Sequence, residues 1–206
     1  MQLDIAAYGW EDPHWASLYP DDLPPDWQLD FYANEFRAIL LPPELCEQRS
    51  DAELLAWFAQ VHANFSFYWG LRDIAQAERL LSLLQREGQP PALVGFVWLA
   101  EPPTSGMLDQ LGQLLPGAVY LDAPPPVDFI LPGVRLCWEV GGELHSRGEG
   151  LLMRRIDHPP ELRPLQQWIR ARQAAGCGQI LLAVMPHPGA VQTLRQLATL
   201  GVLLNG

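Results

Sequence analysis

QLDIAAYGWEDPHWASLYPDDLPPDWQLDFYANEF, residues 2–36, is the stretch whose reading decides the fold. Leu3, Ile5 and Ala7 alternate with less apolar neighbours, the pattern of a short buried strand. The pattern breaks at Tyr8-Gly9-Trp10, and a loop follows with Trp10, Asp12, His14, Trp15 and Tyr19. Pro24 and Pro25 close that loop, and Asp26 is placed to cap a helix that runs to Phe36. A long polar and aromatic loop at the carboxyl end of a first strand is where an α/β protein places a ligand site.

Downstream, strands and helices alternate. Strands are expected at 37–41, 64–69, 93–100, 118–121, 134–140, 151–156 and 180–185. Helices are expected at 50–62, 74–87, 105–115, 160–175 and 188–200, with Ser50 and Asp73 as caps on two of them. Leu93–Ala100 is almost wholly apolar, as a strand covered on both faces should be. Eight strands and about six helices in alternation predict one domain over residues 1–206, a shortened (β/α)8 barrel of the TIM type.

Two crossover helices are expected to be missing or reduced, after the fifth and sixth strands. Residues 122–133 carry Pro124, Pro125, Pro126 and Pro132, which forbid a regular helix. Residues 141–150 are glycine-rich and polar, too short for a parallel crossover of the usual kind. The alternative topology is an antiparallel hairpin at 134–156, pairing the strands 134–140 and 151–156. Leu136, Trp138, Val140, Leu152 and Ile156 carry more apolar surface than one barrel interior needs. The 122–156 flank is therefore expected to meet a protein partner, in the first instance a second copy of the chain forming a homodimer.

Composition narrows the function classes. Hydrophobic residues make up 49% of the 206, enough for a large core. No apolar run is long enough to cross a bilayer and no basic-then-apolar leader opens the chain, so no membrane association and a cytoplasmic location are expected. The formal net charge is −11 and there is no lysine, which argues against nucleic-acid partners and removes Schiff-base chemistry. Cys46, Cys137 and Cys177 show no metal-knuckle spacing and read as reduced, mostly buried thiols. Phosphate-loop, dinucleotide and nucleophile-elbow motifs are absent, and no cofactor is expected.

The order Gly9-Trp10, Pro13-His14-Trp15, Tyr19-Pro20, Leu23-Pro24-Pro25, Tyr32-Ala33 and Phe36 resembles the amino-terminal signature of the YecE-like proteins, the domain of unknown function 72 family. Three later segments are similar in register: 93–103, 151–157 with Arg154 kept, and 180–197. Departures are equally plain. RAILLPPELCE (37–47) stands where the family has Glu-x-Asn-Ser-x-Phe-Tyr, and the His-Gly after Arg154 is lost. The resemblance implies a trimmed (β/α)8 barrel lacking most of the family's polar site residues.

Candidate residues fall into two sets. Trp10, His14, Trp15 and Tyr19 would form a ligand-contacting donor with an aromatic wall, or alternatively a packed plug with His14 bonded to backbone. His14 is expected at the carboxyl-end mouth of the barrel with Tyr8, Trp10 and Trp15. Arg154 would meet an anionic ligand or, the favoured reading, pair with Glu139 on a neighbouring strand. Asp122, Glu139, His158 and His187 close successive strands and could converge as a metal or acid–base set, although no ligand-pair motif supports a metal and each is equally a solvated strand end. These sets frame two functions. One is a non-catalytic binding or interaction module with apolar strand ends at Leu41-Pro42, Leu99, Ile156 and Met185. The other is a metal-dependent or acid–base hydrolase-type enzyme.

Overall fold

The computed structural model describes residues 2–86, 93–99, 104–114, 118–121, 135–140, 143–147 and 151–205. Its strands are β1 (Gln2–Tyr8), β2 (Ala38–Leu41), β3 (Ser66–Leu71), β4 (Leu93–Trp98), β5 (Ala118–Leu121), β6 (Arg135–Val140), β7 (Glu143–Arg147), β8 (Leu151–Ile156) and β9 (Gln179–Val184). The helices are α1 (Gln28–Glu35), α2 (Pro43–Glu47), α3 (Asp51–Gln60), α4 (Ile74–Arg86), α5 (Ser105–Leu114), α6 (Leu162–Ala174) and α7 (Ala190–Asn205).

One sheet runs in the order β7-β6-β5-β4-β3-β2-β1-β9-β8. Every neighbouring pair is parallel except β6 with β7. Residues of β8 lie within 8 Å (Cα–Cα) of residues of β5 and β6, so the sheet curls towards itself. The fold is α/β and barrel-like. Gly95 shows how tight the concave side is. A Cβ there would stand 2.9 Å from Leu151 Cδ2, so β8 reaches across to β4 only because that side chain is absent.

The helices start where local chemistry directs. Ser50 and Glu53 form a complete capping box on α3. Asp73 Oδ1 accepts the Gln76 backbone N–H at 2.9 Å at the head of α4. Asp26 does not cap α1: it lies within a 3-10 turn, Pro25–Trp27, and Trp27 precedes the helix with no side-chain cap. Pro42-Pro43 ends β2 as expected, and Pro43 then opens α2, an additional short helix.

The largest correction concerns 141–150. The segment Glu143–Arg147 is a ninth strand, antiparallel to β6, so the hairpin forms with a strand inside the expected connection and not with 151–156. It closes at Arg147, and β8 goes to the far end of the sheet, parallel to β9. Leu152 and Ile156 are not surplus apolar surface either: both are buried in the chain's own core. Residues 122–134 lie outside those described.

Candidate functional site

Strand register decides which side chains reach the carboxyl-end rim. Asp4 of β1, Tyr68 of β3 and Gln179 of β9 bond to one another, so they share the concave face. Alternation puts Ala6 and Tyr8 on the same side as Asp4, and Arg155 pairs in register with Ala183, on the side of Gln179. At the rim the Tyr8 hydroxyl donates to Glu44, 3.2 Å from Oε1 and 3.4 Å from Oε2. Arg72 Nη2 donates to Glu44 Oε2 at 2.8 Å. Arg155 lies 3.6 Å from Asp157, and its charge also acts on Tyr8. Burial, then the charge and hydrogen bond of Glu44, raise the Tyr8 hydroxyl far above the usual phenol range, so it remains a donor.

Glu44 and Arg72 were not singled out from the sequence. Glu44 sits on α2, a helix the sequence reading missed. Arg72 follows a β3 that runs two residues past the expected end at Trp69. An Arg directly after a six-residue apolar strand was the available signal. Arg155 was passed over for its neighbour. Arg154 shares a face with Leu152 and Ile156, and its guanidinium stacks on Trp168 of α6 with the ring centroid at 4.8 Å. It therefore points away from the concave face; its expected pairing with Glu139 falls on a side chain outside those described.

The aromatic signature residues after β1 pack against neighbouring helices. Trp10 is buried edge-on against Trp57 of α3, with centroids 4.7 Å apart. Trp15 is fully buried in the 3-10 helix Pro13–Leu18. Tyr19 donates to the Trp10 carbonyl at 3.0 Å and meets Phe31 edge-on. His14 is exposed, its Nδ1 2.7 Å from Asp12 Oδ1, and lines a groove with Gly189 and Arg195 beside α7. These residues clasp the first loop onto α1, α3 and α7, with His14 bonded to the Asp12 carboxylate and not to backbone acceptors.

The acid–base set is not brought together among the described residues. Asp122 lies outside them. Glu139 faces Leu144 in the β6–β7 register. His158 is exposed after β8. His187 is buried, its Nδ1 2.8 Å from the Pro188 carbonyl and its Nε2 without a partner. Among the described residues no group of three or more His, Cys, Asp or Glu could hold a metal ion. None of the helices described is long and apolar enough to cross a membrane. Cys46 and Cys177 are buried thiols, and burial pushes the Cys46 thiol up to about 12.

Neither a family model nor a curated protein matches the sequence at a significant level. Two solved structures are similar in fold. A DUF72 family protein from Thermotoga maritima matches with a TM-score of 0.65 at 11% identity, over 97% of this chain and 99% of that one. A DUF72 family protein from Enterococcus faecalis matches with a TM-score of 0.60 at 11% identity, over 100% of this chain and 98% of that one. The fold is thus DUF72-like, in agreement with the resemblance carried by Gly9 to Phe36.

Proposed function

We propose that this chain is a non-catalytic binding module on a shortened (β/α)8 barrel, with its site at the carboxyl-end rim. One observation carries the reading: the Tyr8 hydroxyl and the Arg72 guanidinium converge on a single carboxylate, that of Glu44. Two donors aimed at one pair of oxygens are the recognition geometry for an oxyanion. Glu44 is a side chain, 42% exposed, and can leave that position for solvent. A small carboxylate or phosphate ester would take its place, with Arg155 adding positive charge from β8. The pairs at this rim are mutually satisfied, which favours recognition over proton transfer.

The enzyme alternative needs Asp122, Glu139, His158 and His187 to act together. Isothermal titration with acetate, citrate and glycerol phosphate tests the binding reading, alongside metal analysis of the purified protein. Binding of at least one anion that weakens in Arg72→Ala supports it. Stoichiometric metal, lost with His158→Ala and His187→Ala, would favour the enzyme instead.

A second reading concerns partners. Among the described residues β7 ends the sheet order and pairs only with β6. Such an edge invites strand addition, and a second copy of this chain is the proposed occupant of the 122–156 flank. Sedimentation velocity across a concentration series tests it, and a strict monomer at high concentration excludes it. Nucleic acid is not a proposed partner, given the net charge of −11.

A further inference from the structure

At the opposite end of the sheet a cavity of about 480 Å³ opens between β1, the start of β3, the α1–β2 junction and the last turns of α7. Its volume lies within the roughly 300–1,000 Å³ of small-molecule sites. The wall is mixed. Ile5, Ala198 and Val202 supply apolar surface, and Asp4, Arg37 and Asn64 supply polar groups. α7 comes close here because residue 201 is glycine: a Cβ on Gly201 would stand 2.8 Å from Ile5 Cδ1.

The charges around this cavity are unequal in their commitments. Glu35 is held by Arg195 of α7 at 2.9 and 3.2 Å. Arg37 has neither hydrogen bond nor ion pair from its side chain among the described residues, and its charge reaches Asp4. Asp4 is fixed from behind: buried Tyr68 donates to its Oδ2, Gln2 Nε2 donates to the same oxygen at 2.7 Å, and Gln179 holds the Tyr68 hydroxyl at 2.9 Å. One oriented carboxyl and one uncommitted guanidinium therefore border the same partly apolar space. A cation beside Asp4 would offset the burial that disfavours its ionised form.

We infer that this amino-end cavity binds a small zwitterion of the α-amino-acid type with an apolar side chain. The ammonium sits on Asp4, the carboxylate on Arg37, and the side chain against Ile5, Ala198 and Val202. This site is separate from the carboxyl-end rim and does not depend on the reading given for it.

Isothermal titration of the full chain with L-leucine, isoamylamine and 4-methylpentanoate tests the assignment. The three probes share an apolar body and differ in which charge they carry. L-leucine is expected to bind, and each half-probe to bind at least about tenfold more weakly. Asp4→Asn and Arg37→Gln should each weaken L-leucine by a similar factor. Ala198→Phe fills the cavity from α7 without touching the polar network and should abolish binding. Absence of L-leucine binding overturns the inference, as do half-probes that match it. L-leucine binding that survives Ala198→Phe overturns it equally, because the ligand would then sit elsewhere.

Discussion

The two ends of the sheet handle charge in opposite ways. At the carboxyl end, Glu44, Arg72, Arg155 and Asp157 form ion pairs whose side chains are all roughly half exposed. At the amino end, Asp4, Tyr68 and Gln179 form a part-buried network, with Tyr68 fully buried. Exposed pairs cost little to form and contribute little, because water screens each partner and can replace it. A buried network contributes through what breaking it leaves behind, a desolvated group with no partner. The comparison implies that the carboxyl-end rim is free to exchange partners, whereas the amino-end network holds β1, β3 and β9 in register.

The sharpest way to break this contrast is Tyr68→Phe. It removes the hydroxyl shared by Asp4 and Gln179 while keeping the ring, and should lower stability by about 1–3 kcal/mol in urea unfolding. A change no larger than that of an exposed pair would show that the network is not a structural one.

Asp4 gives a smaller effect with a distinct pH signature. Burial raises its carboxyl above the ordinary value of 3.8, against the opposing hydrogen bonds of Tyr68, Gln2 and Gln179. Between that value and the folded one, the native chain holds more protons than the unfolded chain. This group's contribution to stability is therefore greatest in acid, declines as pH rises through that window, and is constant above it. The wild type should lose stability relative to Asp4→Asn over the same interval, as measured by urea midpoints across acidic pH. A difference that does not vary with pH would remove Asp4 from the account.

At the carboxyl end, Arg72→Ala should change stability by less than about 1 kcal/mol, since its pair with Glu44 is exposed. A loss comparable to that of Tyr68→Phe would mean that the two ends do not differ in kind. The smallest effect concerns Cys46, on the buried side of α2 at the same end. With its thiol pushed up to about 12, it should resist iodoacetamide in the native chain at neutral pH and react only on unfolding.

The sequence by itself determined the framework. Alternation at Leu3, Ile5 and Ala7, the apolar runs at 38–41 and 180–184, and the capping residues Ser50 and Asp73 all act locally, so strands and helices were legible from periods of two and 3.6. The resemblance carried by Gly9 to Phe36 pointed to the same fold. Tertiary structure alone decided three matters. Whether Arg154 or Arg155 faces inward depends on strand register, because a one-residue slip exchanges the two faces. The partners of Tyr8 are Glu44 and Arg72, 36 and 64 positions away, which no local pattern encodes. The chain returns after β6 as antiparallel β7 and does not go forward, because ten residues cannot build a crossover helix. Local residue chemistry sets the elements; the side chains that meet are set by how distant strands align.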